Sequence, residues 1–228
     1  MWNSEMIMML IENTGITLYM TLTSTLMAYV IGLPMGIALV VTAKDGLCPN
    51  GIIVKILDVV ANVVRSVPFL ILLILVIPLT RLIAGRSYGA TSTIVPLTIA
   101  AAPFIARLVE SSLLEVDKGV IEAAQIDGAR KLHMFWYITL PHIRNVIGLL
   151  VVLRTIWVFN SFDIIYMITG GGPANVSTTL PIYIYNLGWV NKFVGRSSAA
   201  AVILLIILLT ICAAYFCVLN KWEKEADS

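Results

Sequence analysis

Charge is what this chain of 228 residues has least of. It holds 15 Lys and Arg and 13 Asp and Glu, 12% of the chain, about half the share of an ordinary soluble domain. Hydrophobic residues make up 59%, and the mean hydropathy is +0.95. A net charge of +2 is too small to argue for a nucleic-acid partner. The three cysteines, Cys48, Cys212 and Cys217, form no CxxC pair and no Cys/His cluster, so they read as small hydrophobes. The only two histidines, His133 and His142, lie nine apart with Pro141 between them and make no metal-ligating helix face. No Ser/His/Asp or Cys/His set stands out. No catalytic residue and no metal ligand is therefore expected, and a membrane enzyme is the weaker reading. The first fifteen residues, "MWNSEMIMMLIENTG", lack Lys and Arg and carry Glu5 and Glu12. They do not resemble the basic start of a cleaved signal, and the first span is expected to act as its own signal.

Long apolar runs are abundant. Five segments can cross about 30 Å of hydrocarbon at about 1.5 Å per helical residue: 16–43, 63–84, 90–109, 146–169 and 197–219. No alternation of barrel type recurs, and a helix satisfies its own backbone in lipid. The expected fold is an all-α integral membrane protein, one transmembrane domain over 1–228. Pro34, Pro68, Pro78, Pro96 and Pro103 all fall within these spans, where neighbouring helices and Ser/Thr side chains can take up the freed carbonyls. Gly32, Gly36 and Ala100 to Ala102 permit close helix packing. Kinked, closely packed helices suit a transport pathway, and packing alone explains them equally well.

Lys and Arg set the orientation. With the N-terminus outside, Lys44, Lys55, Arg65, Arg107, Lys118, Arg130, Lys131, Arg144, Lys221 and Lys224 fall on the cytoplasmic side. Arg81, Arg86, Lys192 and Arg196 fall outside, and Arg154 lies within a span. The C-terminus is then cytoplasmic, and so is the loop from about 110 to 145, the most polar long stretch of the chain. "VIEAAQID" is rich in helix formers, Gly128 can end that helix, and "ARKLHMFWYITL" can start another before Pro141. By composition alone this is a solvated amphipathic loop on the membrane surface.

Its spacing says more. Glu122-Ala123-Ala124, three residues, Gly128, nine residues, then Ile138-x-Leu140-Pro141 is similar to the signature of the permease subunits of bacterial ABC importers. The resemblance implies a type I importer fold in the bacterial inner membrane, with this loop as a coupling helix that docks on a cytoplasmic ATPase. Ala123 and Ala124 would be small enough for close docking. Gly128, beside Asp127, would make the turn free of a Cβ penalty at positive φ. Glu122 would pair with a basic residue of the ATPase or cap local backbone. The implied partners are two cytoplasmic ABC ATPases, a second permease copy or a paralogue, an extracytoplasmic substrate-binding protein and lipid. The chain carries no Walker-type sequence. ATP and Mg would belong to the ATPases, and this chain would bind no cofactor and hydrolyse nothing.

Two finer resemblances divide the chain. "GLPMGIALVVTAKDG", "RSVPFLILLILVIPLTRLIAG" and the run 94–125 resemble methionine importer permeases, which are five-span homodimers. "IDGARKLHMFWYITLPHIR", "WVFNSFDIIYMITGGGPANVSTTLPIYIYNLGW" and "LNKWEKE" resemble sugar importer permeases of the maltose and glycerol-phosphate kind. Methionine or a similar amino acid is the favoured substrate, a sugar or glycerol phosphate the alternative. A non-transporting scaffold or uncoupled hybrid is the rival from another class. In the fourth span Arg154, Trp157 and Ser161 recur at three- and four-residue steps. With Asn160 and Asp163 they are candidates for a polar pathway lining, Trp157 being able to stack on a sugar ring. An interhelical polar pair that fixes packing is the plainer reading. "ITGGGPANVST", 168–178, is a turn-rich outer loop, either a lip for a binding protein or a plain turn.

Overall fold

The computed structural model describes residues 4–115, 119, 124, 128–139, 141, 144–172 and 175–226. Among them there is no strand. The first helix, α1 (Ser4–Thr42), begins twelve residues before the expected span and carries Pro34 inside it. Its buried residues include Asn13, Thr17, Thr21, Ser24, Thr25 and Ala28, whereas Ile11, Leu22, Leu26, Val30 and Ile31 are exposed. A helix in water shows the reverse pattern. In lipid the bulky apolar side chains face the solvent, and small or polar ones make the helix contacts.

Asn50 opens α2 (Gly51–Ser66), its side chain accepting from the backbone N–H groups of Ile52 and Ile53. The helix is amphipathic: Ile52, Ile56, Val59, Val60 and Val63 are exposed, and Lys55, Asp58, Asn62 and Arg65 fall between them. It stops at Val67, whose backbone is extended (φ −77, ψ 125), because Pro68 disfavours a helical residue before it. Here the structure departs from expectation. The segment 63–84 is not one helix. Pro68 lies at a break, and α3 (Phe69–Ala84) begins after it with Pro78 inside. Next comes α4 (Ala90–Leu114), which absorbs Pro96 and Pro103.

Further along the chain come α5 (Lys131–Met134), continued by a π-helical stretch Phe135–Thr139, and α6 (Arg144–Phe159). The segment 146–169 is interrupted: α7 (Phe162–Thr169) is separate. Asn160 Nδ2 donates to the Ile156 carbonyl at 3.0 Å and Ser161 Oγ to the Trp157 carbonyl at 2.9 Å. The Ile156 carbonyl still accepts the Asn160 N–H at 3.1 Å, while the Ser161 N–H turns to the Val158 carbonyl at 3.0 Å, so the Ser161 hydroxyl takes the acceptor that continued helix would use. A short α8 (Leu180–Tyr185), a π-helical stretch Asn186–Val190 and α9 (Val194–Ala226) complete the chain. Among the described residues, Ser4–Thr42, Ala90–Leu114 and Val194–Cys217 are long and apolar enough to cross a membrane, and the broken pair α2–α3 taken together makes a fourth.

The chain divides into two compact units. The first comprises Met1–Thr25, Phe69–Leu97 and Val152–Ser228. Its core holds Met20, Leu97, Val158, Ile165 and Ile182, and beside these Phe159, Leu180, Tyr183, Leu187 and Ala200. Thr17 is its polar pin. Its hydroxyl accepts the Leu180 N–H at 2.8 Å while donating to the Asn13 carbonyl at 2.6 Å. The second unit comprises Leu26–Pro68 and Thr98–Val151, with Ala28, Ala101, Ile105, Val109 and Leu113 at its centre.

Candidate functional site

The described residues of the motif that begins at Glu122 lie in the second unit. Glu122, Ala123, Asp127 and Leu140 lie outside the described residues, whereas Ala124, Gly128, Ile138 and Pro141 are described. Gly128 adopts φ +82, and the Ala129 N–H donates to the Ala124 carbonyl at 2.9 Å. A bond from the residue after a left-handed glycine back to the carbonyl five residues earlier is the outer bond of the Schellman pattern. The reading of Gly128 as a turn residue thus has a backbone reason. Downstream, Met134 N–H returns to the Arg130 carbonyl. The expected second helix begins there but widens into the π-helical stretch before Pro141, which offers no N–H and crowds the preceding turn. His133 and Tyr137 stack with ring centroids 4.3 Å apart, and Trp136 and Tyr137 are exposed. The motif therefore presents aromatic surface as well as charge.

The helices of the second unit form a braced bundle. Gly32 and Gly36 of α1 lie on the backbone of α4. A Cβ at Gly32 would come within 2.6 Å of the Ala102 carbonyl oxygen, and one at Gly36 within 2.5 Å of that of Ala106. Tyr29 Oη donates to the Ile147 carbonyl of α6 at 3.4 Å. Arg107 of α4 forks between two helices. One arm pairs with Asp58 of α2 and donates to Asn62 Oδ1 at 2.9 Å, and the other reaches Glu110 Oε2 at 2.7 Å. Sequence reasoning missed both α2 and this fork. The Asn50 cap and the three- and four-residue recurrence of Ile52, Ile56, Val59 and Val63 were signals for the helix. Nothing local signals the pairing.

The pathway candidates lie in the first unit. Arg154 is buried, and its Nη2 donates to the Leu97 carbonyl at 3.0 Å. Its guanidinium also covers the Trp157 ring, 4.7 Å from the centroid. Ser161 is buried, while Trp157, Asn160 and Asp163 are exposed. Arg154 thus ties α6 to α4 through the Leu97 carbonyl and covers Trp157 of its own helix, leaving Trp157, Asn160 and Asp163 as the exposed polar and aromatic positions. The glycine-rich loop is closed on itself. Gly170 and Gly171 take positive φ, Thr178 Oγ1 donates to the Gly171 carbonyl at 2.9 Å and Ser177 Oγ to that of Gly172 at 3.0 Å. Nearby, burial raises the Tyr183 phenol above its ordinary value, and the charge of Arg196 opposes this. Among the described residues no three His, Cys, Asp or Glu gather where they could hold a metal ion.

Described residues that form helices and no strand, with an inside-out first helix, define an integral membrane protein in class. Residues 28–220 match the family described as binding-protein-dependent transport system inner membrane component, and the chain belongs to that family. It is 38% identical over 179 residues to a probable D-methionine transport system permease protein of Vibrio cholerae serotype O1, covering 78% of this chain and 80% of that one. It is 46% identical over 139 residues to the corresponding protein of Salmonella typhi, covering 61% of this chain and 64% of that one. Among solved structures, a chain of the MetNI methionine ABC transporter in inward-facing conformations superposes with a TM-score of 0.81 at 32% identity, covering 96% of this chain and 99% of that one. A bacterial alginate ABC transporter chain shares the fold at a TM-score of 0.72 and 19% identity, with 96% and 80% covered.

Proposed function

We propose that this chain is the membrane-spanning subunit of an ATP-driven methionine importer. The similarity that runs over nearly the whole of a methionine transporter chain carries the reading. Two copies would form the pathway, two cytoplasmic ATPases would dock on residues 120–141, and an extracytoplasmic protein would deliver the substrate. The N-terminus would face outward. ATP-driven closure of the ATPases would push on the loop. Because α4 and α6 leave its two ends, and α1 and α2 are fixed to α4, the push would carry the second unit as one packed body. Discrete rearrangement of packed bodies is how such a switch is built.

The test is uptake of labelled methionine into vesicles holding this chain with the ATPase and binding protein of a methionine system, with and without ATP. Gly128→Val is the uncoupled control. ATP-dependent uptake that the variant loses supports the reading. The resemblance of 126–228 to sugar permeases favours a second reading, tested by labelled maltose with a sugar system's partners. Uptake of maltose alone would overturn the methionine assignment.

A further inference from the structure

We infer that α2 does not cross the membrane but lies in its plane, an interfacial helix in the leaflet at which α4 ends, with acyl chains against its apolar edge. The helix has three edges. Ile52, Ile56, Val59 and Val63 recur at four- and three-residue steps and fall within about 60° of one another on the helix. This line is still 73% exposed at Ile52 and 55% exposed at Val63. Lys55, Asp58, Asn62 and Ser66 form a second line, at about a right angle to the first. Lys55, Asn62 and Ser66 are exposed, and the Asp58 side chain is about half exposed. Ala61, fully buried, marks the third, packed edge. Both open lines run the length of the helix. A crossing helix would carry the polar line through hydrocarbon, where ionisable side chains are costly. An in-plane helix keeps one edge in water and the other among acyl chains from end to end.

The level at which α2 is held against α4 gives the same answer. Asn50, which caps α2, donates its N–H to the Thr42 carbonyl at 2.9 Å, at the end of α1. Gly32 of α1 lies against Ala102 of α4, and Gly36 against Ala106. The same register continued puts Thr42 level with Ser112, in the last turn of α4. Further along α2, Asn62 Oδ1 accepts from Arg107 at 2.9 Å, and the other arm of that guanidinium reaches Glu110 at 2.7 Å. The guanidinium is thus drawn toward the level of Glu110, within a turn of Ser112. From Asn50 to Asn62 a helix rising along α4 would climb about 18 Å. Between those two bonds α2 instead stays within about 5 Å of the level at which it starts, one turn of α4.

The experiment uses the full chain in vesicles of phosphatidylethanolamine and phosphatidylglycerol, with Cys48, Cys212 and Cys217 replaced by Ser. Single nitroxide labels are attached to Ile52→Cys, Ile56→Cys, Val59→Cys and Val63→Cys on the apolar edge, and to Lys55→Cys and Ser66→Cys on the polar edge. Collision with oxygen, which enters the acyl region, is compared with collision with a water-soluble nickel chelate. The four apolar-edge labels are expected to meet oxygen at one depth, within about 5 Å of one another, one helical turn. The two polar-edge labels are expected to meet the nickel chelate equally. A steady deepening of about 16 Å from residue 52 to residue 63 would make α2 part of a span and overturn the proposal. Nickel access along the apolar edge would place that edge in an aqueous channel, and dipolar broadening between labels at residue 59 of two chains would give it to a second copy; either result overturns the proposal. Lys55→Cys and Ser66→Cys leave the packed edge untouched, so they carry the test should an apolar-edge label disturb the helix. Nickel access at residue 55 with none at residue 66, about 16 Å further along the helix, would overturn the proposal as well.

Discussion

Gly36 on α1 and Ala106 on α4 leave no room between them for a single carbon: a Cβ on Gly36 would come within 2.5 Å of the Ala106 carbonyl oxygen and 2.8 Å of Val109 Cβ. One turn earlier Gly32 stands in the same relation to Ala102 and Ile105. Lipid provides no hydrophobic force between helices, so their cohesion rests on such close backbone approach. Gly36→Ala must therefore move a helix or distort it, and it is expected to destabilise the chain by about 1–3 kcal/mol. Gly15 on the same helix has nothing within 4 Å of its notional Cβ. Gly15→Ala should be neutral or stabilise by up to about 1 kcal/mol through helix propensity. Thermal unfolding in detergent of the two single variants checks the contrast.

The Arg107 fork predicts an asymmetry. Its guanidinium side is shared by Asp58, Asn62 and Glu110, and its side chain is largely covered whereas that of Asp58 is about half exposed. Arg107→Leu strands two carboxylates at once and is expected to cost roughly 1–3 kcal/mol. Asp58→Asn removes one charge that water can replace, and it should cost about 1 kcal/mol or less. If the fork ties α2 to the moving body, Arg107→Leu should also lower ATP-driven uptake by more than its loss of folded protein explains. Uptake normalised to folded chain measures this.

Thr17 acts as a helix cap at a distance. Thr179, which precedes α8, makes no side-chain cap bond, and the Leu180 N–H is taken by Thr17 Oγ1 across 163 residues of sequence. Thr17→Val keeps the volume and removes the acceptor, at an expected cost of about 1–3 kcal/mol for a buried unmet donor. Thr17→Ser restores the oxygen and should recover most of it. Slower hydrogen exchange at Leu180 in the serine variant than in the valine variant is the local readout.

What could be read from one sequence follows from where each interaction lives. The apolar runs at 90–109 and 197–219 overlap α4 and α9, since a helix in lipid is set by its own composition. Gly128 could be read because a turn needs its left-handed residue at one fixed place. The stretch 51–66 was passed over because its charges dilute its hydropathy, although Asn50 and the recurrence of Ile52, Ile56 and Val59 were there to be read. Asn160 and Ser161 could be read as polar positions within an apolar run, but not as the place where the helix stops, because the bonds of their side chains to the Ile156 and Trp157 carbonyls depend on local geometry. Arg107 with Asp58 and Thr17 with Leu180 could not be read at all. Each pair joins segments 49 and 163 residues apart, and a single sequence carries no mark of which distant residue completes a bond.

Gly128 allows backbone geometry to be separated from docking. Its φ of +82 is a conformation that Asn tolerates and a β-branched residue does not. A Cβ there meets nothing within 4 Å in this chain, so any penalty within the chain is one of backbone conformation. Gly128→Asn should therefore keep the fold and most ATP-dependent uptake. Gly128→Val forces the turn out of the left-handed region at about 1–2 kcal/mol, and it is expected to lower uptake about tenfold if the cost falls on the coupling-competent state. The two variants are compared in the same vesicles with the same ATPase. An equal and severe loss in both would place the demand on the partner surface, where any side chain would obstruct docking; loss in the valine variant alone would place it on the turn.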